Sequence, residues 1–134
     1  IDGNMTKDFA IVKKKSGFNQ VRIHVIQLKM NQTYALAMDT YRYAILKERI
    51  SAKYQSRGLI NRPLSSEEIQ AFNCEDGRLY SYAYADKFKE VNTISLYFLF
   101  KNFKVYIVES YIEKRTAKED EPVIKEIINS FKLN

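Results

Sequence analysis

The hydrophobic positions of this chain recur first in twos, then in threes and fours, and later in twos again. Apolar and β-branched residues crowd positions 9–12 and 21–28, and the polar stretch between them contains Gly17, which predicts a β-hairpin. In its second strand Val21, Ile23 and Val25 share one face, while Arg22 and His24 share the other, more polar one. From about residue 33 to 55 the period changes. Tyr34, Met38, Tyr41 and Ile45 recur at steps of three and four, with Ala37, Ala44 and Ala52 beside them, the stripe of an amphipathic helix. Asn31 or Thr33 can cap its start, and Gly58 suits its termination.

Residues 57–64 read as a loop. Ser65-x-x-Glu68 after Pro63 is a capping box, which predicts a short helix to about Phe72, and residues 73–77 then turn the chain. Three strands follow at 78–85, 93–101 and 104–113, the last two joined by a tight turn at Asn102 and Phe103, and together they predict an antiparallel meander. Asp120 and Glu121 before Pro122 mark the start of a final helix to about Phe131. Its apolar set is Val123, Ile124, Ile127, Ile128 and Phe131. The fold class is α+β: a hairpin plus a three-stranded meander, packed by a long helix and a C-terminal helix into an α/β/α sandwich. No repeat or linker divides residues 1–134, so a single domain is expected.

The meander carries the candidate chemistry. Tyr80, Tyr82 and Tyr84 point to one side of their strand, and Leu79, Ser81, Ala83 and Ala85 to the other. Small residues admit a helix closely, so the alanine side is assigned to helix packing and the tyrosine side to a covering layer, a ligand or a partner. Tyr97 and Tyr106 extend the tyrosine surface if the register aligns them. Arg57 and Arg62 can clamp an anion beside the sheet.

Composition narrows the function classes. With 46% hydrophobic and 28% charged residues and only four glycines and two prolines, extensive disorder is excluded. A single cysteine, Cys74, precludes an intrachain disulfide or a thiolate zinc cluster. A single histidine, His24, fifty residues away in sequence, precludes a multi-histidine site. The longest nearly unbroken apolar run, 96–100, is far short of the ~20 residues that cross a bilayer. Ile1 opens the chain without a charged-then-apolar leader, which leaves room for a signal peptide or anchor upstream. The net charge of +6 admits an acidic partner, but only Lys13, Lys14 and Lys15 cluster, beside the turn residues Ser16 and Gly17. The acidic pairs Glu67/Glu68, Glu75/Asp76 and Asp120/Glu121 all fall at helix starts or turns, where capping accounts for them.

The order hairpin, long helix, short helix, meander and closing helix, with the ending EIINSFKL at 126–133, resembles the PsbP-like superfamily. That superfamily includes the photosystem II extrinsic protein, DcrB-type bacterial lipoproteins and a eukaryotic Ran-binding import factor. The serine-phenylalanine pair that often ends its closing helix corresponds here to Ser130 and Phe131, whereas the usual proline-rich opening is missing. The resemblance implies an α/β/α sandwich, no shared catalytic residues, an accessory role and an extracytoplasmic bacterial setting.

The leading expectation is therefore a non-catalytic binding or assembly module that needs no cofactor or metal. Its expected partner is another protein, met through Tyr80, Tyr82, Tyr84, Tyr97 and Tyr106 or adjoining loops. One alternative is a nucleic-acid binder using the basic hairpin tip and the aromatic face. Another is a small anionic-ligand pocket at Arg57 and Arg62.

Overall fold

A computed structural model describes residues 5–13, 19–49, 56–85 and 91–134. Its elements run β1 (Met5–Lys13), β2 (Gln20–Gln27), α1 (Tyr34–Arg49), β3 (Ser56–Pro63), α2 (Ser66–Phe72), β4 (Asp76–Ala85), β5 (Val91–Lys101), β6 (Lys104–Ile112) and α3 (Ala117–Ser130). The strands form one sheet in the order β1-β2-β6-β5-β4-β3, antiparallel at every pairing. The predicted hairpin is β1 and β2, and the predicted meander is β4, β5 and β6. The lysine-rich hairpin tip at residues 14–17 and the predicted end of the long helix lie outside the described residues.

Helices cover both faces of the sheet. On one, Ala37, Tyr41 and Ile45 of α1 close over Ile26, Tyr80, Tyr84, Ile94, Leu96, Phe98 and Ile107. On the other, Ile124 and Ile128 of α3, with Phe72 of α2, cover Val21, Leu79, Leu99 and Val108. Each large apolar side chain so buried is worth roughly 1.5–3 kcal/mol against exposure. The alternation read from the strands thus fills an α/β/α sandwich.

Two expectations are corrected. Residues 57–64 are not a loop: Ser56–Pro63 is an edge strand paired with β4 along its length. All eight of its residues are exposed, so no period-2 pattern of burial was available to be read. Gly58 lies within that strand rather than at a helix end. The closing helix begins at Ala117, five residues before Pro122, which lies inside it and offers no N–H to the carbonyl of Lys118. That early start has a tertiary cause. Buried Asn19 donates from Nδ2 to Asp120 Oδ2 and to Thr116 Oγ1, each at 2.6 Å, and accepts from the Glu113 amide at 2.6 Å. One asparagine beside β2 therefore fixes the first turn of α3.

Local signals held elsewhere. Thr33 Oγ1 accepts from the Leu36 amide at 3.1 Å, so Thr33, not Asn31, caps α1. Ser65 and Glu68 form the reciprocal capping box of α2, and Asn73 ends that helix in the left-handed region at φ 57°.

Candidate binding surface

The tyrosines of β4 are interior. Tyr80 and Tyr84 are each 5% exposed and belong to the core beneath α1, with Tyr82 half-buried beside them. Arg42 of α1 spreads its guanidinium over the Tyr80 ring, 4.4 Å from the centroid, and donates to the Tyr82 hydroxyl at 2.9 Å and to Asp39 at 3.3 Å. Tyr80 also meets Phe98 edge-on at 5.8 Å. These rings fasten a helix to a sheet, and the buried Tyr80 and Tyr84 offer no open face on which a nucleobase can stack.

Tyr97 and Tyr106 do not extend that surface. Leu79 stands opposite Tyr97, and Leu99 opposite Tyr106, so both phenols share the leucine side covered by α2 and α3. Register, which no single strand carries in its own sequence, separates the five tyrosines into three and two. Tyr97 packs against Phe72 at 5.4 Å, and burial, with Glu68 adding, pushes its hydroxyl above the usual tyrosine range. Tyr106 is half-buried at an apolar notch of about 300 Å³, lined also by Ile23, Phe131, Lys132, Leu133 and Asn134.

The two arginines also part company. A bulge between Gly58 and Ile60 puts Arg57 opposite Ala83 and Arg62 opposite Leu79, on one face but four β4 residues apart, about 13 Å at ~3.3 Å per residue. Arg62 is engaged with Glu68 through two bonds of 2.6 and 3.1 Å. Arg57, with Ser56, Ala83, Tyr84, Ala85 and Val91, borders a separate cavity of about 300 Å³. A joint clamp is therefore not formed.

Glu68 has a consequence for stability. The hydrogen bond from Arg62, opposed by partial burial and aided by Ser65, holds its carboxyl at about 2 against an ordinary 4.5. A depressed folded-state value means stability that is complete above about pH 4.5 and lost as pH falls toward 2. Glutamine preserves the capping geometry without the charge. Thermal melts of Glu68→Gln and the parent chain are expected to converge over that interval, from a gap of about 1 kcal/mol near neutrality, since the pair is partly solvated. Parallel pH curves would show that Arg62 does not hold the carboxylate in solution.

A third cavity was not legible in the sequence. Ser81 faces Ser95, which faces Ser110, a row of serines across three strands on the α3 side, with the Ser81 and Ser95 hydroxyls 3.2 Å apart. Where Leu79 and Leu99 receive α3, this small-residue row leaves a gap of about 320 Å³ between Thr93, Ser95, Lys114 and Glu121. The alternation Ser-Ala was the available signal, and it marked both helix packing and the space beside it.

His24 is buried on the α1 side. Its Nε2 lies 3.0 Å from Glu109 Oε1, with Arg22 3.8 Å from the same oxygen. Cys74 is half-buried just past the C-terminal end of α2, where burial pushes its thiol up, the opposite of what a thiolate nucleophile needs. Among the described residues no group of three or more histidines, cysteines or carboxylates is placed to hold a metal, and no helix is long and apolar enough to cross a membrane.

No family model matches this sequence, and no curated protein matches it either. Among solved structures, the solution structure of cyanobacterial PsbP (CyanoP) from Synechocystis sp. PCC 6803 matches at a TM-score of 0.57. The match covers 100% of this chain and 79% of that one at 8% identity. The chain has a PsbP-like fold. The fold expected from the order of elements is thereby borne out. At 8% identity the likeness transfers architecture and no individual residue, so the surface has to be argued from its own geometry.

Proposed function

We propose that this chain is a single-domain, non-catalytic binding or assembly module, working outside the cytoplasm, that docks a protein partner at the notch beside Tyr106. The PsbP-like fold supports the accessory and extracytoplasmic parts of this reading. The observation that carries the docking site is that Tyr106, alone among the β4–β6 tyrosines, borders the apolar notch formed with Ile23, Phe131 and Leu133. A volume of about 300 Å³ is at the small end of ligand cavities, which run roughly 300–1,000 Å³. It suits an inserted side chain better than a cofactor, and tyrosine is enriched where such anchors bind.

The test is site-specific photo-crosslinking in the cells that make the protein. A benzophenone side chain at position 106 is expected to yield one dominant heavier adduct, reduced at least tenfold when Ile23→Glu places a charge in the notch. The same probe at Asn61 on the β3 edge serves as control. Identical adducts from both positions, or none from position 106, would remove the docking site.

A further inference from the structure

Two tight turns lie side by side at one end of the sheet, and each presents a large apolar side chain to solvent. In the β5–β6 turn, Asn102 and Phe103 adopt φ values of 51° and 60° between the paired residues Lys101 and Lys104. Such a two-residue turn needs positive φ at both positions, which is why asparagine followed by glycine is its favoured sequence. Phenylalanine there is a genuine backbone outlier. Its amide donates to the Tyr34 hydroxyl at 3.1 Å, and its carbonyl accepts from the Leu28 amide at 2.9 Å and from Gln27 Nε2 at 3.1 Å. All three bonds use backbone atoms that glycine also has. The ring itself is 73% exposed, so the fold does not require it.

The second turn, Lys29–Gln32, is closed by the Gln32 amide on the Lys29 carbonyl at 3.0 Å and leaves Met30 fully exposed, at 106%. The Leu28–Phe103 bond joins the two turns. Leu36, in the first turn of α1, is a third exposed apolar residue at the same end. Lys29, Lys101 and Lys104 belong to these two turns. Lys101 is steadied by the carbonyls of Asn73 and Asn134 at 2.9 and 2.7 Å. The acidic group drawn into the cluster is Glu75, which accepts from the Asn102 amide at 3.1 Å.

We infer that this end of the molecule binds an anionic lipid surface, with Phe103, Met30 and Leu36 entering the interfacial region and the lysines meeting the headgroups. The shape decides for a membrane over a protein. A protein interface needs a contiguous, close-packed patch, whereas these side chains protrude singly from turns with lysines between them, which a fluid bilayer boundary accommodates. The charge agrees: among the described residues, Lys29, Lys101 and Lys104 stand beside Glu75 and Asp76, an excess of basic groups on a chain of net charge +6. The strain agrees as well, because an αL phenylalanine that the fold does not need is the kind of backbone outlier that function retains. This surface is distinct from the notch at Tyr106 and meets it only where Lys101 donates to Asn134 of the notch lining.

The experiment is co-sedimentation of the full chain with vesicles of phosphatidylcholine plus phosphatidylglycerol, with phosphatidylcholine vesicles as the neutral arm and inorganic phosphate as the soluble competitor. The chain is expected to pellet with the anionic vesicles and not the neutral ones, and to stay bound when phosphate is added at constant ionic strength. Phe103→Gly is expected to lower the partition coefficient about tenfold while raising the melting temperature by roughly 2–4 °C, since it removes strain and little packing. Met30→Glu, on the other turn, should lower the partition similarly without that thermal gain. Absence of pelleting at low salt, displacement by phosphate, or a Phe103→Gly variant that binds as well as the parent would each overturn the inference.

Discussion

Replacing Glu109 with alanine is expected to lower the unfolding free energy by about 3–5 kcal/mol in urea denaturation at neutral pH. Glu109 stands on β6 opposite Arg22 of β2 and Leu96 of β5, inside the sheet and 1% exposed. His24, 4% exposed, and Arg22 share one of its oxygens. A carboxylate so placed has given up its hydration, and its hydrogen bond with His24 and its attraction to Arg22 offset that loss. Alanine removes both and keeps Arg22 and His24 where they are, so the cost is that of buried polar groups losing this carboxylate rather than the net worth of the interaction. Domains of this kind are stable by roughly 5–15 kcal/mol, which places the variant near unfolding. The double replacement His24→Leu with Glu109→Leu should cost less than Glu109→Ala alone, because Arg22 reaches solvent with its remaining surface. A loss below about 1 kcal/mol for Glu109→Ala would mean that water already reaches this site.

The same pair shows where sequence reading succeeds and where it stops. The period-2 pattern of β2 put Arg22 and His24 on one face, and so they are, yet that face is buried: Ile26 lies further along it, and β6 supplies Glu109 from 85 residues away. Burial of a polar residue depends on its partner, and partners are a property of register. The tyrosines teach the same lesson. Tyr80, Tyr82 and Tyr84 lie on one side as alternation required, but Tyr97 and Tyr106 fall on the other because Leu79 stands opposite Tyr97 and Leu99 opposite Tyr106. The elements with strong local chemistry were legible: the amphipathic α1, the capping box at Ser65 and Glu68, and the meander. The edge strand β3 was not, since a strand exposed along its whole length has no reason to alternate. Of the candidate surface, the sequence disclosed Tyr106 but not the wall that Phe131 and Leu133 build around it, because that wall is the segment after α3 folded back on the sheet.

That wall rests on a corner whose tolerance is set by Gly77, and Gly77→Ala is expected to cost about 3 kcal/mol, near 10 °C of melting temperature. A methyl group on Gly77 would run into the carbonyl oxygen of Phe98 and would lie 2.6 Å from Leu64 Cδ1. Neither neighbour can yield cheaply. Phe98 is held in the β4–β5 ladder, and Leu64 is buried and tied back by its own amide to the Gly77 carbonyl at 3.1 Å. Leu64 packs in one cluster with Phe72 and Leu133, and the Leu133 amide donates to the Phe72 carbonyl at 2.9 Å. Displacing Leu64 therefore loosens the C-terminal wall of the Tyr106 notch before it melts the sheet, and amide exchange at Leu133 should quicken more than at Ile107 in the sheet centre. Gly58→Ala is the matched control: a methyl there meets nothing within 4 Å, so stability should change by no more than ~0.5 kcal/mol. Equal effects at the two glycines would show that the close approach of β5 and Leu64 to Gly77 is not what the residue is for.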